Sequence, residues 1–245
     1  MTTFADLHRV GDPLVLPNVW DVASARALVE AGFPALGTTS LGVAAAHGLP
    51  DGADAATAET LALLHRLTKL AVQLTADIET GSVEAAVAVA QAGAAGVNVE
   101  DAMRPAAEHA SLIRSVKREV PELFVNARTD THWQRAGDLS ETLRRVRRYA
   151  DAGADGVFVP GLAEPADIEA VVAAVDVPVN ILFLPGRHTV AALAQLGVRR
   201  ISTGSLLFRA ALAAVVGTAT AVRDGGPVGL DLPTYAEVNS APTPR

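Results

Sequence analysis

Short runs of consecutive apolar residues alternate along this chain with longer stretches whose apolar positions recur every three or four residues. Unbroken apolar runs suit strands buried on both faces, and the longer spacing suits helices that lay one face on them. The runs predict strands near 14–19, 35–40, 72–79, 96–101, 123–130, 156–161, 177–184 and 199–205. The periodic stretches predict helices near 23–31, 57–69, 82–92, 105–119, 138–152, 165–174, 189–196 and 206–222. Four passages, AGFPALGTTS, AGAAGVNVED, AGADGVFVPG and LGVRRISTGS, carry a glycine just before a strand: Gly32, Gly93, Gly153 and Gly197. Glycine after an Ala-rich helix is an expected C-terminal stop. Pro105 and Pro165 fall where a first helical turn tolerates proline.

Eight alternating strand–helix pairs predict an α/β fold of the (β/α)₈ barrel type. An open doubly wound sheet is disfavoured, because no G-x-G-x-x-G follows the first strand. The expected organisation is one barrel domain over 1–224 and a proline-bearing tail over 225–245.

Composition narrows the class. With 245 residues, 50% hydrophobic and 19% charged, the chain suits one large globular domain. A formal charge of −7, from 20 basic and 27 acidic residues, argues against a nucleic-acid or anionic-membrane partner. The densest basic run, Arg144-Arg145-Val146-Arg147-Arg148, reads as a solvated helix face. The absence of cysteine excludes disulfides, thiolate catalysis and zinc–sulfur sites, and fits a cytoplasmic location. The opening MTTFADLHRV lacks a signal-peptide core. The apolar run Ala210 to Val222 holds a glycine and two threonines and is shorter than the roughly 20 residues of a membrane span.

The polar residues then gather where strands end. In FVNARTDTHW, residues 124–133, alternation puts Asn126, Arg128 and Asp130 on one strand face. Asp77 with Glu79, and Asn98 with Glu100, show the same spacing of two. In such a barrel these positions share the mouth at the C-terminal ends of the strands. Several carboxylates in one cavity resist ionisation unless a positive charge joins them. Arg128 supplies one, and oxygen donors without cysteine or paired histidines favour Mg²⁺ (or Mn²⁺) for the rest. A guanidinium can hold a carboxylate through two parallel hydrogen bonds while a metal takes other oxygens of the same ligand. Asn126 and Asp130 are expected to steady Arg128. The residues read this way fit a small acid with an α-oxygen.

TTSLGVAAAHGLPDG at 38–52, TADIETG at 75–81, GVNVED at 96–101 and NARTD at 126–130 together resemble the isocitrate lyase/phosphoenolpyruvate mutase superfamily. The resemblance extends from about Leu16 to Ala214 and includes LGVRRISTGSLLFRAAL. It implies a modified (β/α)₈ barrel, assembled as a homodimer or homotetramer with the last helix exchanged between neighbours. It also implies a Mg²⁺-bound 2-oxo acid or its enolate, with a C–C or P–C bond made or broken beside a pyruvate-like unit. By the same resemblance Thr39, Ser40 and Leu41 hold the substrate carboxylate, and Asp51 sits near waters of the metal. Asp77 is the implied direct Mg²⁺ ligand, Glu79 and Glu100 act through water, Arg128 clamps the anion, and Asn180 contacts substrate. The implied catalytic residues are Arg128, Asp51 and Glu100.

The chain also departs from that pattern. Isocitrate-type lyases carry a Lys-x-Cys-Gly-His loop after the strand at 96–101, whereas this chain runs EDAMRPAAEHASLIRSVK. Its strand at 156–161 ends Val159-Pro160-Gly161, where lyases place a glutamate. These departures argue against isocitrate or methylisocitrate cleavage by the usual route. His47, Arg104, His132, Trp133, His188 and the STGS of 202–205 are further candidates around the mouth. The expected function is a Mg²⁺-dependent C–C lyase for a small 2-oxo or 2-hydroxy carboxylate. P–C chemistry on a phosphonate and a non-catalytic metal–carboxylate-binding barrel are the alternatives.

Overall fold

A computed structural model describes residues 2–52, 55–229 and 231–239. Its strands are β1 (Leu14–Leu16), β2 (Asn18–Val19), β3 (Ala35–Thr38), β4 (Gln73–Asp77), β5 (Gly96–Glu100), β6 (Phe124–Arg128), β7 (Gly156–Phe158), β8 (Val179–Leu182) and β9 (Arg200–Ser202). All neighbours pair in parallel, in the order β1-β9-β8-β7-β6-β5-β4-β3-β2. The strand expected over 14–19 is therefore split at Pro17, whose ring leaves no N–H for a ladder. One piece pairs with β9 and the other with β3, so the break is where the barrel closes.

Asn18 stitches that seam. Its Oδ1 accepts from the backbone N–H of Thr203 at 3.1 Å and Gly204 at 2.9 Å, and its Nδ2 donates to the Thr38 carbonyl at 2.8 Å. The first strand thereby takes side-chain bonds in place of the ladder bond that proline removes.

The helices are α1 (Val22–Glu30), α2 (Ser40–Ala46), α3 (Thr57–Leu67), α4 (Val83–Gln91), α5 (Ala106–Glu119), α6 (Leu139–Asp151), α7 (Pro165–Ala173), α8 (Val190–Gln195), α9 (Leu206–Arg223) and α10 (Tyr235–Asn239). Asp21, Ser82, Asp138 and Thr189 cap α1, α4, α6 and α8 through side-chain oxygens that accept backbone N–H bonds. The four glycines expected as stops have φ of 87°, 94°, 98° and 84°, the left-handed region. Apolar faces of the helices and the outer faces of the strands form one continuous core.

Three expectations need correction. The strand expected over 35–40 ends at Thr38, because Thr39 turns out of the sheet and caps α2, accepting from Gly42 N. Helix α2 was absent from the sequence reading. Arg145 is only 6% exposed, so the basic run on α6 is not a uniformly solvated face. Arg145 instead donates to Asp101 Oδ2 at 2.8 Å and to Tyr149 Oη at 3.1 Å in the layer beneath the helices.

Helix α9 lies differently from the rest. Phe208 is its only buried residue, packed edge-on against Trp20 at 5.2 Å. Leu212, Val215 and Val216 are 49%, 65% and 66% exposed. At 18 residues the helix exceeds the run read from the sequence, and by length and composition alone it is apolar enough to count as a candidate span. A five-residue helix, α10, follows within the proline-bearing tail.

Candidate active site

A cavity of about 220 Å³ opens at the C-terminal ends of the strands. Thr39, Ser40, Leu41, Asp51, Asp77, Glu79, Glu100 and Arg128 all line it. Sheet register explains much of this gathering: Asp77 pairs with Asn98, Glu100 with Arg128, and Arg128 with Phe158. Glu100, Arg128 and Phe158 therefore end their strands at one level, and Asp77 ends β4 two residues deeper, level with Asn98.

Arg128 is the electrostatic centre. Its Nη1 lies 2.7 Å from Glu100 Oε2, and its Nε lies 2.6 Å from Asp130 Oδ1. Trp133 and Phe158 each place a ring centroid 5.9 Å from the guanidinium carbon, which limits its freedom from two sides. Burial opposes the charge on Arg128, but Glu100, Asp130 and Asp77 hold it firmly protonated. Asp130 thus supports Arg128 as expected. Asn126 does not; its Nδ2 donates to Asn98 Oδ1 at 2.8 Å, inside the barrel and away from the mouth.

The acids show the strain of crowding. Burial pushes the Glu100 carboxyl up to about 8, against Arg128 and with help from Asp77, Asp130 and Glu79. Burial raises Asp77 as well, although Arg128 counters it. Asp77 Oδ2 accepts from Ser40 Oγ and its Oδ1 from Glu79 N, both at 3.3 Å. Glu79 holds a left-handed backbone at φ 52°, unusual for a residue with a side chain and a form of strain found at sites of function.

Among the described residues no three acids or histidines stand close enough to form a ready-made metal cage. The donor set nonetheless fits a hard cation that takes one or two carboxylates and keeps its waters. Asp77 accepts long hydrogen bonds from one hydroxyl and one amide, and two raised carboxyls share the pocket. A dication relieves both.

The remaining candidates divide. Trp133 lines the cavity, as do Ser202, Gly204 and Ser205 from STGS. Asn180 is 1% exposed and does not line it; Leu182, two residues on, takes that place. Arg104 is tied to main-chain carbonyls, donating to Thr80 at 2.9 Å, so it does not cover the pocket. His47 donates to the Val43 carbonyl at 2.9 Å within its own helix. His188 is 7% exposed, and its Nδ1 accepts from Leu184 N. None of these three lines the cavity.

Sequence reasoning missed Asn18, Gln134, Phe158 and Leu182 as pocket residues. The alternation rule was a usable signal for Phe158 and Leu182. Each ends its strand in register with a mouth residue, as Arg128 and Ser202 show.

Asp101 underlies the whole arrangement. It is fully buried, and its Oδ1 accepts from Met103 N at 3.0 Å and Asp130 N at 3.1 Å. Its Oδ2 accepts from Arg145 and from Tyr149 Oη at 2.7 Å. Burial raises this carboxyl, but the hydrogen bonds led by Tyr149 outweigh burial and leave it below the ordinary range. The short connection after β5 passes through Ala102 and Met103 with φ of 42° and 60°, and Asp101 pins it.

Comparison with known proteins agrees with this fold. The family model described as phosphoenolpyruvate phosphomutase matches residues 4–223. An uncharacterized protein of Mycobacterium tuberculosis is 44% identical over 97% of this chain and 95% of its own. An oxaloacetate decarboxylase of Bradyrhizobium diazoefficiens is 30% identical over 86% of this chain and 80% of its own. Among solved structures, an oxaloacetate acetylhydrolase in complex with the product oxalate superposes with a TM-score of 0.86. It is 26% identical and covers 98% of this chain and 92% of that one.

Proposed function

This chain belongs to the phosphoenolpyruvate phosphomutase family, and we propose that it is a carbon–carbon lyase within it. Its substrate is a small 2-oxo or 2-hydroxy carboxylate, and the reaction passes through an enolate. The observation that carries this reading is Arg128, held between Glu100 and Asp130 at the edge of an acidic pocket. A fixed guanidinium with free edge donors grips a carboxylate and opposes negative charge as it develops.

A Mg²⁺ ion held here would supply Lewis-acid stabilisation for the negative charge of the enolate. Asp77 is the residue we assign to hold the ion directly, with Glu79 and Glu100 acting through water and Asp51 beside them. Thr39, Ser40 and Leu41, at the start of α2, orient the carboxylate, and Arg128 holds its far side. Glu100 carries a second duty, since it shares Arg128 with Asp130 and keeps the clamp in the mouth. Asn98 lines the cavity and is held by Asn126, which donates to it.

A C–C substrate suits this pocket better than a phosphonate. A phosphonate adds a strongly charged group, and among the described residues Arg128 is the only cation lining the cavity. The relative named as an oxaloacetate decarboxylase supports carbon–carbon chemistry too. An assay for pyruvate or glyoxylate release from a panel of acids, with Mg²⁺ present, tests the reading. Turnover that is lost in Arg128→Ala supports it. Binding without turnover across the panel would favour a non-catalytic carboxylate-binding barrel.

We also propose that α9 packs against a second copy of this chain, in a cytoplasmic homodimer or homotetramer. The exposed Leu212, Val215 and Val216 form a large apolar surface for a free protomer. Light scattering that gives a stable dimer or tetramer supports this; a monomer at micromolar concentration contradicts it.

A further inference from the structure

The mouth of this barrel is divided into two chemically distinct halves. On one side β4, β5 and β6 end in Asp77, Glu100 and Arg128. On the other side β7 ends in Phe158 and β8 in Leu182, both of which line the cavity with Pro160 and Trp133. The boundary falls between neighbouring strands, because Arg128 pairs in register with Phe158.

We infer that the substrate's tail, beyond its acid head and the oxygen-bearing carbon that leaves as a carbonyl, is uncharged and apolar, and that Phe158, Leu182 and Trp133 select it. This rests on the proposed carboxylate site and names the class of acid that site takes. The one cation lining the cavity, Arg128, already faces the carboxyl groups of Glu100 and Asp130 at 2.7 and 2.6 Å. Its remaining edge serves one acid head. A second carboxylate on the substrate would lie against phenyl, indole and leucine side chains, with no positive group among the described lining residues. A charge moved there loses most of its water and meets only the neutral Gln134, Ser202 and Ser205, with no opposite charge. An alkyl group in the same place buries apolar area on both sides of the contact.

The arrangement leaves a second acid on the substrate no cationic side chain of its own. It also gives a physical meaning to Val159-Pro160-Gly161. Where the family resemblance places a glutamate, the chain after this strand makes an apolar turn, and Gly161 has φ 83° with the backbone of His132 and Trp133 so near that an added Cβ would lie 3.3 Å from it. A side chain at Gly161 would strain its left-handed backbone and crowd the His132–Trp133 segment.

Calorimetric titration of the full chain with Mg²⁺ present throughout tests the inference with three probes. Oxalate reports the acid head alone. 2-Hydroxy-4-methylpentanoate and malate share a head and a shape, and differ in an isopropyl group against a carboxylate. The inference expects the isopropyl acid to bind on the order of ten-fold or more tighter than malate. Oxalate binding combined with equal or tighter malate binding overturns the inference and leaves the acid-head site standing. Failure of oxalate to bind overturns both. Leu182→Lys, at a half-buried position on the rim, should reverse the order in favour of malate. Trp133→Ala, where the side chain is 56% exposed and the fold does not depend on it, should narrow the preference several-fold. An unchanged preference in both variants assigns selection elsewhere and contradicts the inference.

Discussion

Arg128 donates from Nε to Oδ1 of Asp130 at 2.6 Å, and that bond fixes the plane of the guanidinium in the pocket. Asp130 is 1% exposed and is itself held through its backbone N–H by Asp101. The clamp is therefore oriented by a chain of contacts running from α6 through Asp101 to the mouth.

Asp130→Asn keeps a side-chain oxygen but removes the charge that matches the guanidinium. Catalytic efficiency, once a substrate is in hand, should fall roughly 10–100-fold, as it does when a supporting partner is lost. Oxalate affinity should fall in parallel, because the loss lies in the placement of Arg128. Titration of the variant beside the unmodified chain checks this.

Asp101→Ala leaves Arg145 with Glu141 as its remaining carboxylate and takes the acceptor from Tyr149 Oη and from the backbone N–H groups of Met103 and Asp130. Removing one member of a buried pair costs on the order of 3–5 kcal/mol. Denaturant unfolding should show that loss, and Tyr149→Phe should show a smaller one, since Arg145 still bonds Asp101. Equal stability in Asp101→Ala and the unmodified chain would show that the network is not structural.

Asn18→Ala removes the acceptor for two backbone N–H groups at the barrel seam. Each buried donor left unpaired costs about 1–3 kcal/mol. Thermal unfolding should register the loss, and hydrogen exchange should quicken first at Thr203 and Gly204.

The acid cluster makes a signed prediction about pH. Glu100 is raised to about 8 in the folded chain, so between its ordinary value and 8 the native state holds a proton that the unfolded state has released. Stability of the metal-free chain should therefore decline as pH rises through that window. Burial lowers His8 and His109 to about 4, which works the opposite way up to about pH 6.5. The net decline should appear between about pH 6.5 and 8, at no more than about 1.4 kcal/mol per pH unit for each proton. Mg²⁺ should flatten it. Melting curves in chelator and in Mg²⁺, across that range, provide the check.

Much of this architecture was legible in the chain before the coordinates. The glycine stops, the apolar runs and the acids at strand ends are local signals, and Asp77, Glu79, Glu100 and Arg128 line one cavity. What escaped depends on distant partners. The break at Pro17 works only because Asn18 finds Thr203 and Gly204, some 185 residues away. Arg145 reads as one arginine among four until Asp101, 44 residues earlier, is brought beneath it. Asn126 shares a strand face with Arg128, yet depth in the barrel gives it to Asn98. Helix α2 escaped for a different reason: SLGVAAA continues an apolar stretch, and only the cap at Thr39 separates strand from helix.

The central claim is that a guanidinium and a dication share an acidic pocket with one small acid. Calorimetric titration of oxalate, with and without Mg²⁺, into the unmodified chain and Arg128→Ala tests it most directly. The account predicts Mg²⁺-dependent binding to the unmodified chain and a loss of on the order of 100-fold in the variant. Oxalate binding that ignores Mg²⁺, or that survives Arg128→Ala unchanged, would contradict it.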